Sequence, residues 1–382
     1  MRNDKLGMKK QYSKTVLLIV PVLMCLLLFT LVISCDQEPL FWDVAREYPP
    51  IEPDIDGHPS KIVRLGTSLY VSNRDYVWVY DTTAGNPIWV KMPLQPSGKT
   101  IDLAVASSAL YALDQNGTIL KGDGTTWSGP INTHSSFANS GRILCIYTGG
   151  SYLFAGALTG DPSKVNDYVI HVINSSDQII NTALQTGLLM GVADYSGSSY
   201  LGTLGKGMYS SSGGSTPSPF SGFESYIVGL ASGSRLYAVT RRIVQFYDGS
   251  SVTSHSSTGG YTYTGGISVW THSTGDLLLV SLQRSSGSYG YGYREILIDP
   301  SGNLIGGLKV PGDSAPSSVE IGSQHISAIG KHAVNYLHVV ASSDSEDDNN
   351  RPIIFASTAK NGLWSYRTRK GEAQWNGEDK TR

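Results

Sequence analysis

Two hydrophobic patterns divide the chain. Residues 16–34, VLLIVPVLMCLLLFTLVIS, are apolar almost throughout and carry no charge, and Arg2, Lys5, Lys9, Lys10 and Lys14 precede them. From about residue 61 onward the pattern changes. Apolar residues alternate with polar ones or gather in runs of four to six, rich in Val, Ile, Leu and Tyr. Such runs predict strands. Asp114-Gln115-Asn116-Gly117, Asp248-Gly249 and Asp299-Pro300-Ser301-Gly302 are hairpin-turn sequences between them. Few stretches in this part run ten residues without a Gly, a Pro or a Ser/Asn/Asp cluster, so no helix is expected.

The strands recur. A second strand begins near Leu69, Leu110, Leu153, Leu201, Leu236 and Leu278, at steps of 41, 43, 48, 35 and 42 residues. A first strand precedes each one, at 61–65, 101–105, 143–147, 189–193, 227–231 and 267–270. A seventh unit has two registers open to it. Either 326–330 and 336–341 are its first two strands, or 336–341 and 353–357 are. A period of about 40 residues is that of propeller blades. The expected fold is therefore all-β, a β-propeller of seven four-stranded blades over residues 61–378, with 379–382 as a tail.

The basic leader, the apolar core and Ser34-Cys35 before the polar Asp36, Gln37 and Glu38 form an export signal. Val32-Ile33-Ser34-Cys35 resembles the relaxed lipobox of bacterial lipoproteins, of the kind found in spirochaetes. The resemblance implies that 1–34 is a signal peptide, that Cys35 is lipidated, and that 35–60 tethers the propeller to a membrane. The family prefers Leu where this chain has Val32. An uncleaved anchor helix, for which the run is long enough, and a plain cleaved signal are the alternatives. All three place the remainder in the cell envelope, facing the periplasm or the exterior.

Lys and Arg number 29 against 31 Asp and Glu, for a net charge of −2. That balance gives a nucleic acid no basic face. Of three cysteines, Cys25 lies in the leader and Cys35 at its end, leaving Cys145 unpaired in the propeller. Cys145 is expected as a buried, unreactive thiol on a first strand.

Gly207-Met208-Tyr209-Ser210, followed by Gly213-Gly214 and Phe220, resembles a worn Asp-box of the BNR and YCF48-like propellers. Weaker copies stand at Gly122-Asp123-Gly124 with Trp127, at Val79-Tyr80 with Trp89, and at Gly362-Leu363-Trp364-Ser365 with Trp375. In most of them the box carboxylate is expected to be missing. The resemblance covers most of 61–378 and implies architecture and, through the YCF48-like propellers, an assembly role. Blade-closing Trp residues are expected to pack blade on blade.

No Gly-x-Ser-x-Gly, Ser-x-x-Lys, His-Glu-x-x-His or P-loop motif occurs. No enzyme activity and no cofactor are therefore expected. His325, His332 and His338 have no spacing that fixes a metal face. Asp344, Glu346, Asp347 and Asp348, in SDSEDDNN, are weak Ca²⁺ candidates, or else a solvated insertion. Two Tyr/Gly stretches, with Tyr261 and Tyr263 and with Tyr289, Tyr291 and Tyr293, are the candidate partner-binding residues, since Tyr offers contact area with few rotors. The plainer alternative folds these rings back on the sheet. The expected function is a lipid-anchored scaffolding module that binds an envelope protein. A glycan-acting enzyme and a solute or carbohydrate receptor are the alternatives.

Overall fold

The computed structural model describes residues 54–84, 88–138, 140–160, 167–256, 261–272, 275–284, 292–305, 329, 332–340, 353–369 and 372–377. The strands, numbered β1 to β28, form seven sheets, and each sheet is an antiparallel meander of four consecutive strands. The seven blades stand in a ring. Their first strands are β1 (Val63–Leu65), β5 (Thr100–Ala106), β9 (Ser140–Gly149), β13 (Leu188–Tyr195), β17 (Gly229–Ser232), β21 (Tyr261–His272) and β25 (Val334–Val340). The seventh blade takes the second of its two expected registers: β25 is its first strand and β26 (Ile353–Thr358) its second.

The alternation of each second strand explains the ring. Successive side chains of a strand point to opposite faces of the sheet. In β2 (Ser68–Ser72), Leu69 and Val71 pack toward blade 7, while Tyr70 packs toward blade 2. In β6 (Ala109–Asp114), Leu110 and Ala112 turn to blade 1, and Tyr111 and Leu113 to blade 3. In β26, Ile354 and Ala356 turn to blade 6, and Ile353 and Phe355 to blade 1. Both faces are buried, so the strand reads as a continuous apolar run. Among the described residues the core divides into seven hydrophobic clusters, one at each junction between blades. Each fully buried Leu, Ile or Phe contributes about 1.5–3 kcal/mol. Inner strands come close enough that a Cβ on Gly229 would lie 2.2 Å from the carbonyl oxygen of Gly265, so only glycine fits there.

Among the described residues no strand passes from the last blade to the first, and side chains and one short segment close the ring. At this seam Tyr80, Trp89 and Phe355 form a three-ring contact, with centroids 5.2–5.5 Å apart. Such pairs contribute about 0.5–1.5 kcal/mol beyond their buried area. Residues 55–60 run along the seam. Ile55 is fully buried and its carbonyl accepts the Leu363 N–H at 2.9 Å. Gly57 accepts from Gly362 N–H at 3.1 Å, and the Ser357 hydroxyl donates to the Ser60 carbonyl at 2.8 Å. On the other side Ser60 N–H donates to Ser72 at 2.7 Å. The folded ring thus takes in 55–60, ahead of the boundary expected at 61.

Among the described residues, turns between third and fourth strands reuse one device. The Val79 and Gly122 copies of the box do carry a carboxylate, a correction for these two, while the Gly207 copy lacks one as expected. Asp81, Asp123, Asp248 and Asp299 each accept backbone N–H groups of the following residues, at 2.7–2.9 Å. Asn174 does the same in blade 3, while in blade 4 the Ser211 hydroxyl donates across the turn to Ser215. The turns differ in length, so a fixed Gly-Gly frame hides the shared aspartate. Amide donors favour the charged carboxylate. Those of Thr126 and Thr125 hold Asp123 well below the usual range, and those of Ser251 and Ser250 lower Asp248 to about 2.

Phe355→Ala is expected to lower stability by about 3–5 kcal/mol by opening a cavity in the closing seam. Leu184→Ala, on a 70 % exposed outer-strand leucine, should stay within about 0.5 kcal/mol of wild type. Denaturant unfolding of the two variants checks this pair.

Candidate functional site

Ring closure brings polar groups from four consecutive blades to the inner wall. Lys61 lies two residues before β1. Asp102 is in β5, Cys145 and Tyr147 are in β9, and Tyr336 and His338 are in β25. The Lys61 ammonium donates to the Asp102 carboxylate and to the Ile146 carbonyl, and lies 4.1 Å from the centre of the Tyr147 ring. Asp102 accepts the Ile146 N–H at 3.0 Å and its own neighbour Leu103 N–H at 3.0 Å. The Tyr147 hydroxyl donates to the Met190 carbonyl at 2.9 Å, and the Cys145 thiol to the Leu189 carbonyl at 3.3 Å. One lysine therefore ties blade 1 to blades 2 and 3, and β9 is tied on to blade 4.

This arrangement is built for holding rather than for proton transfer. The Lys61 and Asp102 side chains are 15 % and 8 % exposed. Burial pushes the Cys145 thiol up to about 12; the nearby Asp102 carboxylate adds to the shift and Lys61 opposes it. Burial also raises the Tyr147 phenol, helped by Tyr336, and raises Tyr336, helped by Asp102. These groups keep their protons at neutral pH. Burial lowers His338 to about 4, with the charge of Arg64 adding to it, so this imidazole is neutral. Among the described residues no His, Cys, Asp and Glu gather as a metal site.

At one end the wall opens into a cavity of about 460 Å³ between the first hairpins of blades 1, 2 and 3, reaching from Arg64 to Gly150. The hairpin of blade 2 turns through Ser107 and Ser108, both with positive φ (47° and 59°).

Two of the five candidate tyrosines are corrected. Tyr263 is 3 % exposed in the junction of blades 5 and 6, and Tyr293 is 4 % exposed in that of blades 6 and 7. Each belongs to a strand. Tyr263, in β21, pairs with Leu282 of the next strand, and Tyr293 opens β23 (Tyr293–Ile298) with its hydroxyl on Glu295 at 2.9 Å. The Tyr-Thr-Tyr alternation is a strand period, and the glycines beside it permit close packing. Tyr261 is the first residue of β21. Tyr289 and Tyr291, the acidic Asp344, Glu346, Asp347 and Asp348, and Cys35 lie outside the described residues, as does His325. The His332 ring lies against Trp364, with centroids 5.1 Å apart and planes tilted by 33°. Cys145 is on a first strand as expected, but half-buried. Lys61 and Asp102 were missed in the sequence, although one signal marks them: a charge inside or beside an apolar first strand needs a partner.

Asp102→Asn should cost about 3–5 kcal/mol, because Lys61 is then left buried without its counter-charge. Replacing both by Met and Leu should recover most of that loss in the same denaturant titration. Stability should also fall on mild acidification. His338 and His171, the latter in β11 (Tyr168–Ile173) and also lowered to about 4 by burial, are neutral in the ring and protonate near 6.5 when unfolded. Their contribution is complete above about pH 6.5 and is lost as pH falls toward 4. The turn aspartates contribute fully above about pH 4 and lose that contribution at lower pH. Melting temperatures from pH 8 to 3 should show both phases, and a His171→Gln, His338→Gln variant should flatten the upper one.

No protein-family model and no curated protein matches the chain. Solved structures match it in fold. An ancestral GH74 enzyme is 17 % identical with a TM-score of 0.53, covering 86 % of this chain and 47 % of its own, so this chain spans about half its length. The structure of YCF48 bound to a D1 peptide is 12 % identical with a TM-score of 0.52, covering 84 % of this chain and 98 % of its own. The WD40 β-propeller domain of Doa1 is 10 % identical with a TM-score of 0.51, covering 84 % and 95 %. At these identities the likeness is one of fold: this chain is a seven-bladed β-propeller.

Proposed function

We propose that this propeller is a binding scaffold of the bacterial cell envelope, tethered by lipid on Cys35 and engaging a protein partner through its loops and faces. One observation carries the binding half. Of the two carboxylates on described first strands, Asp102 is consumed by Lys61 and the Ile146 amide, and Asp194 accepts the Gly150 N–H and the Ser199 hydroxyl. Glycan hydrolysis uses two carboxyl groups facing the scissile bond, one of them free to donate a proton, and this wall offers a locked ion pair instead. The strands are committed to blade packing, which leaves loops and rims for recognition. Among similar rings, YCF48 has been seen with a peptide bound and Doa1 carries a WD40 propeller. The tether half rests on the leader and on Val32-Ile33-Ser34-Cys35. Two acyl chains would hold a protein at a membrane where one does not.

In cells fed labelled palmitate, wild type is expected to take up label and partition into detergent, and Cys35→Ala to do neither. Crosslinking of intact cells should then capture an envelope protein with wild type. Tyr289→Ser, Tyr291→Ser should weaken capture roughly tenfold or more if both are anchors. Tyr293→Ser should instead lower the melting temperature, since that ring is core. Equal labelling of the two proteins would remove the tether, and release of reducing sugar from envelope glycan by purified protein would replace the scaffold with an enzyme.

A further inference from the structure

The two ends of the ring differ in what they expose. In a four-strand antiparallel meander the first and third turns lie at one end of the blade, and the second turn and the exit to the next blade lie at the other. The first-and-third-turn end carries the exposed carboxylates Asp81, Asp123, Asp194 and Asp248, with Arg64 as an exposed cation. The opposite end carries Tyr226, 60 % exposed, in the connection from blade 4 to blade 5. Tyr226 bridges to Leu204 at the close of β14 (Ser198–Leu204), and the Ser225 carbonyl before it accepts the Gly205 and Gly207 N–H groups, both at 2.9 Å. Lys206 lies between those glycines, so its backbone is fixed against the same connection. Arg241 and Arg242 form the second turn of blade 5, between β18 (Leu236–Val239) and β19 (Ile243–Tyr247), and the Val239 carbonyl just before that turn accepts the Val228 N–H at 2.7 Å. All three cations are exposed, and none is paired with a carboxylate among the described residues; Glu224 is the exposed carboxylate of the group. Tyr76 and Leu94, 41 % and 54 % exposed, stand at the same end of blade 1, where charges are mixed and Lys99 lies 3.5 Å from Asp75. Tyrosine beside Lys and Arg is the surface chemistry of a membrane interface: the ring sits at headgroup level and the cations meet anionic lipid.

The chain enters the ring at this same end. Asn73, in the second turn of blade 1, donates to the Asp56 carboxylate at 3.2 Å, and Gly57 bridges to Asn361 in the second turn of blade 7. Cys35 precedes Asp54 by 19 residues, and such a stretch spans at most roughly 65 Å even when fully extended. A tether on Cys35 therefore leads to the end that bears Tyr226. Charge acts in the same direction, since an anionic leaflet repels the carboxylate end and attracts Lys206, Arg241 and Arg242. Each Lys or Arg close to such a surface favours contact roughly fivefold, so the three together hold where one would not.

We infer that the second-turn end of the ring docks on the anionic surface of the membrane that holds the lipid, with Tyr226 at headgroup level and Lys206, Arg241 and Arg242 on acidic headgroups. The inference rests on the proposed lipid tether at Cys35 and adds an orientation to it: the ring lies with its carboxylate end turned away from the bilayer.

The test is hydroxyl-radical footprinting of the detergent-extracted full-length protein after reconstitution into vesicles, read by mass spectrometry, with flotation alongside. One set of vesicles is phosphatidylcholine alone, and the other contains about 30 % phosphatidylglycerol to supply the anionic surface. Wild type should float with both. Tyr226 and Tyr76 should be oxidised roughly threefold more slowly or less on the anionic vesicles than on the neutral ones, while Tyr195, at the carboxylate end, should not change. About 0.5 M salt should remove the difference, because it screens charge beyond a few ångströms. Lys206→Gln, Arg241→Gln, Arg242→Gln should keep flotation and melting temperature, since all three residues are exposed turn positions, and should lose the protection of Tyr226. Flotation with equal oxidation of Tyr226 on the two vesicles would overturn the docking and leave the tether standing. Protection of Tyr195 in place of Tyr226, or full protection in the triple variant or at high salt, would also overturn it. Protection of Tyr226 in intact cells but on neither vesicle would assign this end to a protein instead. Failure of wild type to float would remove the tether, and the docking with it.

Discussion

Every blade of this ring has two apolar faces, and neither can be left in water. A single four-stranded sheet with Leu69 and Val71 on one side and Tyr70 on the other is stable only between two neighbours. That requirement is met six times by chain order alone, because consecutive blades are consecutive in sequence. The seventh junction lacks that help. It is closed by the Tyr80, Trp89 and Phe355 rings and by residues 55–60, which bond to blade 7 through Ile55 and Gly57 and to blade 1 through Ser60. Without this seam, the outer faces of blades 1 and 7 would both be exposed, and the six remaining junctions would have open ends. The case resembles a repeat array whose terminal units need caps, except that here the caps are each other.

The same closure makes the inner wall. First strands that lie far apart in sequence come to lie side by side, so that Lys61, Asp102, Cys145 and Tyr336 share one environment. Low exposure strengthens their mutual interactions and raises the cost of any unpaired charge. The outcome is a wall on which burial keeps the Cys145 thiol and the Tyr147 and Tyr336 phenols protonated at neutral pH. Its single lysine braces three blades at once.

Much of the fold was written in the spacing of apolar residues. The second strands were legible because burial on both faces leaves an uninterrupted run, as at Leu69-Tyr70-Val71 and Leu110-Tyr111-Ala112. The last blade was ambiguous because 326–330 and 336–341 are both short and apolar, and only pairing with β26 fixes which comes first. The site was less legible. Tyr263 and Tyr293 sit beside glycines that suggest a loop, yet their alternation belongs to strands and their rings fill junctions between blades. The turn aspartates were hidden by unequal turn lengths. Asp102 carried a signal, a carboxylate within Ile101-Asp102-Leu103, but its partner Lys61 is 41 residues away, and one period of the repeat brings the two together.

Ring closure by the 55–60 segment is the claim on which the rest depends, and amide hydrogen exchange tests it most directly. A chain beginning at residue 54 should protect β1–β2 and β26–β27 as strongly as the middle blades do and exchange in one cooperative unit. A chain beginning at residue 62 should lose protection first in those strands, on both sides of the seam, while blades 3 to 5 keep theirs. Equal protection of the two chains at the seam would contradict the account, because the ring would then be closed without the segment said to seal it.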